Sequence, residues 1–522
     1  MARCWCSGAD DMTDLIIGSG PSGIATATAL LARGRSVTLL DGGKLPEPEA
    51  IARRDALAAR APEDWSQPER AAYQAPQFAA PEGQTRRYGS DFAQEAAADT
   101  LAEGRDGFAL RASRAVGGLS NLWGAAVLPY RQHDIADWPV TAEELAPHYR
   151  AVAGFMPIAG REDALDNLLP GYLAPGATQI PPPPQAEALL ARLDAKRDRL
   201  RAMGFHTGAA RQAVEAGCIR CGMCLHGCPW GHIYSARKTL ETLKAHPRFT
   251  YRPGALVAGF SETEDGVTLA LADGRTVTGT RVFIGAGVLE TARLMLASAP
   301  GTPRELILKD SQHAFLPLLH RWRTKLRPDR PPHHTLPQLF AEIEHPDVSD
   351  RLVHAQFYTW NEHYARDLLQ NYGARLPGSA PLLKAMSRRL IVAQIFLHSD
   401  HSARIGLSLA ADGRLNARVE ANPDTGRVLD AAKRTLSRAM AQAGLVALGF
   451  AARPGAPGSS FHVGGTVPMA AAAAPGRSDR LGRPHGLRRV HIVDASVLPS
   501  IPATTITFSV MANAHRIGAE AP

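Results

Sequence analysis

An α/β architecture is predicted: a parallel nucleotide-binding sheet whose chain is interrupted by an inserted antiparallel sheet. Three observations predict it. A strand, glycine turn, helix and second strand follow one another between Asp14 and Asp41. Long apolar strands crowd the interval from Leu306 to about Leu448. Glycine- and aspartate-bearing segments then return at Ser460–Ala470 and Arg488–Gly518.

The first unit is the most informative. Leu15, Ile16 and Ile17 form a short apolar strand that runs into Gly18-Ser19-Gly20-Pro21-Ser22-Gly23. An alanine-rich helix closed by Gly34 follows, then a strand over Val37–Leu40 ending on Asp41. This is the Rossmann-type dinucleotide fingerprint, with an acid about 20 residues after the glycines. Gly18, Gly20 and Gly23 let the backbone turn and approach a pyrophosphate at the helix N-terminus. Pro21 suits the first helical turn, where its missing N–H costs nothing. Asp41 would accept from a ribose diol.

Residues 42–104 form a polar, proline-containing excursion, read as a lid or a solvated insertion with one or two surface helices. SRAVGGLSNLWGAAVLPY then places Gly117, Gly118 and Gly124 around Trp123, small residues where backbone passes close to something flat or bulky. In WPVTAEELAPHYRAV, Thr141 and Glu144 form a capping box. Four prolines, Pro181–Pro184, precede a helix expected over Gln185–Met203. Strands are expected around Tyr251–Phe260, Val267–Leu271 and Val282–Ile284. A second GxG opens a helix at Gly285, but Glu290 stands where the third glycine belongs and would repel a pyrophosphate. A second dinucleotide site is therefore not predicted.

In the inserted region LVHAQFYTW alternates His354, Gln356, Tyr358 and Trp360 against Val353, Ala355, Phe357 and Thr359. RLIVAQIFLH (Arg389–His398) reads as a strand buried on both faces. A helix over about Ala431–Leu445 covers the sheet. This sheet suits one wall of a substrate pocket, with Gln356, Tyr358 and Gln394 as candidate pocket polars. The organisation expected is 13–310 and 451–522 as the nucleotide-binding part, with 311–450 as the substrate part.

The totals set limits. The chain has 522 residues, enough for two to four average domains or one large enzyme with an insertion. Net charge is +8 from 58 basic and 50 acidic residues, with no Lys/Arg block carrying interleaved aromatics, so no nucleic-acid surface is read. No apolar run of 18 residues or more exists, so no membrane span is expected. MARCWCSGADDMTD lacks a hydrophobic core and a twin arginine, and a cytoplasmic location is expected. Met12 is an alternative start, which would make Cys4 and Cys6 an extension.

The segments SFHVGGTVPMA (Ser460–Ala470) and RRVHIVDASVLPSIPATTITFSVMANAHRIG (Arg488–Gly518) closely resemble the glucose–methanol–choline (GMC) oxidoreductases. The fingerprint at Gly18, YGSDF at Tyr88–Phe92, GGLSNLWGA and the Val257 strand extend the resemblance along most of the chain. It is nearest the branch of pyranose oxidases and FAD sugar dehydrogenases. The resemblance implies FAD, with Gly18, Gly20, Pro21, Ser22 and Gly23 at the pyrophosphate and Asp41 at the adenosine ribose. Val257 would offer backbone to adenine, and Gly117, Gly118, Ser120 and Asn121 would approach the flavin. Asp494 and Ala495 would lie along the ribityl chain and ring. Leu122 stands where pyranose oxidases carry a flavin-linking histidine, so FAD is expected to be non-covalent. His462 matches the family's catalytic histidine and Thr505 the place of its second partner. A threonine hydroxyl cannot act as a base near neutral pH, so His462 is expected to work alone, with Thr505 orienting substrate. His398 and His401 complete no ligand set, and His515 is read as a surface residue.

Cys218, Cys221, Cys224 and Cys228 follow the C-x2-C-x2-C-x3-C-P spacing of iron–sulfur proteins. Some FAD sugar dehydrogenases of the family carry a three-iron cluster on such a segment. A three- or four-iron cluster, structural zinc and buried free thiols are the readings left open. The expectation is FAD-dependent oxidation of a small-molecule alcohol, sugar-like or polyol, with electrons leaving through a cluster to an external acceptor. An oxygen-using oxidase with structural cysteines and a flavin-retaining lyase are the alternatives.

Overall fold

The apolar run at Leu15–Ile17 forms the middle strand, Thr13–Ile17, of a five-stranded parallel sheet. Its order is Val490–Ile492, Arg281–Ile284, Thr13–Ile17, Ser36–Asp41, Phe249–Pro253. The computed structural model describes residues 13–74, 92–93, 100–102, 107–322, 333–359 and 378–522. A strand from near the carboxy terminus thus completes a sheet begun at the amino terminus, and the nucleotide-binding fold is discontinuous. Asp14, fully buried on the central strand, receives two hydrogen bonds from Arg281, at 2.9 and 2.7 Å, and two from Arg35, at 2.9 and 3.3 Å. The helix Pro21–Ala32 packs against the terminal helix Ile506–Glu520, where Thr26 Oγ1 donates to the Ala514 carbonyl at 3.3 Å.

The inserted sheet is antiparallel. Its order is Leu445–Ala447, His313–His320, Leu390–Phe396, Val353–Tyr358, Leu339–Ile343, Phe205–Ala209, with Arg453–Pro454 also paired to His313–His320. Period-2 alternation divides its two faces. Ala314, Leu316, Ala341, Val353, Ala355, Phe357, Ile391 and Ala393 pack with Val428, Leu436, Ala439 and Met440 of the helix Thr425–Gln442. The other face carries His313, Phe396, His354 and Glu342 in one cross-strand row, and Phe315, Gln394, Gln356 and Phe340 in the next. Strands on either side of the 311–450 interval join this sheet, so the two parts we propose, 13–310 with 451–522 and 311–450, share strands.

Two smaller sheets complete the structure. Val257–Glu262, Val267–Leu271 and Thr276–Gly279 form one; Leu415–Glu420, Arg404–Leu409, Glu305–Asp310 and Val463–Gly464 form the other.

Several elements differ from expectation. The helix expected over Gln185–Met203 is two, Pro184–Asp194 and Arg197–Arg201, broken at Ala195–Lys196. The stretch Tyr251–Phe260 divides between the parallel sheet and the three-stranded one, because Gly254 turns the chain with a φ of 71°. The covering helix begins at Thr425, a turn and a half earlier than its apolar stripe suggested. Within 42–104 the expected surface helices are Pro48–Ala58 and Gln67–Gln74, while Tyr88–Ser90 lies outside the described residues, as do Trp360, Cys4 and Cys6. Among the described residues no helix is long and apolar enough to cross a membrane.

Candidate active site

The two glycine turns have different surroundings. At the first, the helix Pro21–Ala32 starts on Gly20 with no side-chain cap and no acidic residue in its first turn. Its leading N–H groups are left for a ligand. A Cβ on Gly23 would run into the Gly18 carbonyl, so the turn can be this tight only with glycine. A Cβ on Gly118 would reach the Gly20 Cα at 3.4 Å, so the two glycine segments are close neighbours. At the second turn, Asp494 fills the helix start. Its carboxylate accepts from the Gly287 N–H at 2.9 Å, from Thr291 Oγ1 at 2.5 Å and from the Ser496 N–H at 2.9 Å. Glu290 accepts from Thr100 Oγ1 at 2.6 Å and pairs with Arg293 at 2.8 Å. The first turn fits a pyrophosphate; the second is already satisfied by protein carboxylates.

Most of the expected cofactor residues are tied into the protein through their side chains. Asp41 accepts from Ser19 Oγ, from the Gly43 N–H and from Tyr251 Oη, the last at 3.0 Å. A carboxylate has about four acceptor positions, which leaves one for a ribose hydroxyl. Ser120 donates to the Gly117 carbonyl at 2.5 Å and accepts from the Ala236 N–H at 3.0 Å. Asn121 donates to the Val116 and Gly118 carbonyls and accepts from Ser235. These side chains hold the glycine loop against the start of the helix Ala236–Leu243, so what the loop offers a flavin is backbone. The Val257 carbonyl accepts from Arg293 at 2.9 Å. The Ala495 carbonyl accepts from the Gly465 N–H at 2.9 Å, which joins the His462 loop to the Asp494 turn.

His462 is half-buried, and its imidazole stacks on Phe396 with centroids 4.8 Å apart and planes at 18°. Its loop is anchored from behind: the His462 N–H donates to Ser460 Oγ at 2.9 Å, and Ser460 donates to the buried Asp310 at 2.6 Å. The preceding Phe461 has a φ of 63°, a left-handed conformation that costs a non-glycine residue of order 1 kcal/mol and fixes where His462 points. Burial, with His354 and His313 nearby, pushes the His462 pKa down to about 3. Thr505 Oγ1, buried at the start of the terminal helix, accepts the Leu128 N–H at 2.7 Å. It keeps a hydrogen to donate, but a lone pair serves the segment after the glycine loop.

Two amide side chains lie on the face that carries Phe396. Tyr358 Oη donates to Gln356 Oε1 at 2.8 Å and lies 3.3 Å from Gln394 Oε1. A Cβ on Gly124 would lie 3.9 Å from Tyr358 Oη, so this polar row reaches the glycine loop.

The four cysteines do meet: Cys218, Cys221, Cys224 and Cys228 line one cavity with Ile219, Trp230, Ile233 and Leu336. That cavity holds about 20 Å³, room for one water. Burial pushes the Cys218 thiol up to about 11 and raises Cys221 and Cys228. Among the described residues no group of three or more histidine, cysteine, aspartate or glutamate side chains is placed to hold a metal ion. The residues as arranged do not fit an iron–sulfur cluster or zinc. His398 and His401 are likewise local, bonded to the Asp134 carbonyl and to Ser349. His515 is not a surface residue: it is half-buried, its Nδ1 2.9 Å from that of His148.

Residues 409–514, which contain His462, Asp494, Ala495 and Thr505, match the family model described as GMC oxidoreductase. The carboxy-terminal part of the chain is thus similar to the GMC oxidoreductases. The architecture as a whole is similar to the crystal structure of pyridoxine 4-oxidase from Mesorbium loti, with a TM-score of 0.56 over 97% of this chain and 98% of that one, at 15% identity. A likeness at that identity is one of fold. No curated protein matches the chain in sequence. GMC oxidoreductases generally bind FAD and oxidise alcohols, and the uncapped glycine turn at Gly18–Gly23 is the place in this chain that would suit the pyrophosphate of such a cofactor.

Sequence reasoning missed Phe396, His354 and His313 as neighbours of His462, and Glu342 as the partner of His354. The period-2 pattern placed His354 on the polar face with Gln356, but nothing short of the cross-strand register could set Phe396 beside it.

Proposed function

We propose that this protein oxidises a neutral, polyhydroxylated alcohol to a carbonyl with non-covalent FAD, and that His462 is the base. The observation that carries the reading is His462 itself. It lies in the segment matched to GMC oxidoreductases, half-open, stacked on Phe396 of the polar sheet face, and joined through Gly465 and Ala495 to the Asp494 turn. Bound FAD supplies the hydride acceptor. Gly18, Gly20, Pro21, Ser22 and Gly23 would hold its pyrophosphate, Asp41 its ribose, Val257 its adenine, and the Gly117–Asn121 backbone, Asp494 and Ala495 its flavin half. His462 removes the hydroxyl proton as the carbinol carbon gives up hydride, a role suited to imidazole. Thr505 has one hydrogen to donate and no basicity to contribute.

The substrate class rests on Gln356, Gln394 and Tyr358. The amide nitrogens of Gln356 and Gln394 have no hydrogen-bond acceptor among the described residues, and neither is a buried orphan. Uncharged donors and acceptors of this kind suit hydroxyl groups beyond the reacting one.

The expected electron exit through the four cysteines is not retained, since their cavity does not accommodate a cluster. Electrons taken up by bound FAD would go directly to an external acceptor. Anaerobic mixing with polyols should bleach the visible flavin absorbance; if no alcohol bleaches it, the redox reading is wrong. Peroxide stoichiometric with substrate under air would assign an oxidase in place of a dehydrogenase, and a carbonyl product with flavin still oxidised in every phase would favour the lyase.

A further inference from the structure

Three imidazoles surround Phe396. His462 stacks on it, His354 lies 6.0 Å away at 30°, and His313 meets it edge-on at 5.6 Å. His354 Nδ1 is 2.6 Å from Glu342 Oε1, directly across the sheet, and both side chains are fully buried. Nothing in the alcohol oxidation proposed above uses this pair.

Hydrogen bonding fixes its charge. Beside a carboxylate, Nδ1 is the donor. His354 Nε2 is buried without a partner, and a proton there would leave a cationic N–H unpaired in apolar surroundings. Glu342 Oε2 is likewise buried without a partner; with Glu342 ionised, Nε2 is a bare lone pair and the pair carries a single negative charge. His462 has the complementary defect. Its Nδ1 is enclosed and unpartnered, so the edge left for an alcohol is Nε2. For Nε2 to accept a proton, Nδ1 must already hold one. One buried N–H and one buried lone pair thus flank the same phenyl ring.

We propose that Glu342 and His354 are the counter-charge for His462: when the alcohol O–H breaks and its proton bonds to His462 Nε2, the Glu342 carboxylate, acting through the His354 imidazole, stabilises the imidazolium. The pair touches neither substrate nor cofactor, so both are positioning residues. The inference rests on His462 being the base. It also answers a difficulty in that reading, because burial leaves His462 too weak a base unless something nearby favours its charged form. Burial raises the Glu342 carboxyl and His354 opposes the rise. The other charged groups around the line are Arg131 and Asp134 on the segment after the glycine loop, His206 on the neighbouring strand, and His313 beside His462.

Glu342→Gln keeps the side-chain size and the acceptor for His354 while removing the charge. It should slow anaerobic flavin reduction about tenfold or more and move the acid limb of kcat/KM to lower pH, since His462 becomes a weaker base. In a His462→Ala background the same change should cost less than about twofold, because the pair then has nothing to act on. His354→Phe should repeat this pattern, and carries the test if Glu342→Gln does not retain flavin. Nitrogen-15 histidine spectra of the oxidised protein, with the His462 signal identified by its loss in His462→Ala, should show His462 titrating at lower pH in Glu342→Gln. A purely structural pair would lower rates in both backgrounds and leave the limb and the titration in place, which would overturn the proposal. So would wild-type rates in both variants. Failure of the reading beneath it looks different: wild-type flavin that no alcohol bleaches, or that His462→Ala reduces at an unchanged rate.

Discussion

His462 and Thr505 occupy the two positions from which the family resemblance expects an active-site pair, and their surroundings assign them unequal work. His462 has a free ring edge, a strained neighbour in Phe461 and an anchored backbone, so truncating it removes a base and little packing. His462→Ala should slow flavin reduction by about 10²-fold or more; a loss under about threefold would remove it as the base. Thr505 Oγ1 satisfies the Leu128 N–H inside the protein. Thr505→Ala leaves that donor buried and unmade, so it should cost about 1–3 kcal/mol in denaturant unfolding and far less than His462→Ala in rate. Equal kinetic losses in the two variants would show that the hydroxyl acts on substrate.

At the scale of elements, the central strand of the parallel sheet depends on one carboxylate. Asp14 is fully buried between Arg281 and Arg35. Burial alone would raise its pKa, but the hydrogen bonds from the two guanidinium groups outweigh that and leave it below the usual carboxylate range. Its contribution to stability is therefore complete above the unfolded value of about 4 and disappears as pH falls through the lower folded one. Asp14→Asn should cost about 3–5 kcal/mol at neutral pH and flatten the acid side of the stability–pH curve, measured by urea unfolding. An unchanged acid side would reject the assignment. This strand and the glycine turn after it were legible because a local rule, apolar run then Gly18 to Gly23, specifies both. The break at Ala195–Lys196 and the early start of the helix at Thr425 were not, since helical periodicity runs through the one and only Val428 and Leu429 carry it before Ala431 in the other. The His354–Glu342 pair was hidden for a further reason: its meaning lies in the register between strands 12 residues apart, which composition and period do not encode.

Across the whole molecule, the candidate cofactor site is assembled from segments near residues 20, 120, 257 and 495, and the sheet beneath it pairs the first strand with one from the last tenth of the chain through Arg281–Ile284. Motif order along the chain revealed this discontinuity, whereas the spacing of the four cysteines corresponds to no metal-holding group among the described residues, because spacing does not specify the space between thiols. A ligand that contacts every segment binds only the assembled fold, so its binding free energy adds to the stability of the entire molecule. FAD at about 100 times its Kd should add about 2.7 kcal/mol, raising the Tm of flavin-free protein by a few degrees. NAD should give no comparable shift. NAD shares the ADP half that Gly18–Gly23 and Asp41 would hold, but lacks the ribityl–isoalloxazine half proposed for the Gly117–Asn121 backbone, Asp494 and Ala495. The comparison is made by melting flavin-free protein with each dinucleotide under matched salt. Equal stabilisation by both would mean that the flavin half adds nothing to binding, and no shift with FAD would detach the Gly18–Gly23 cradle from FAD.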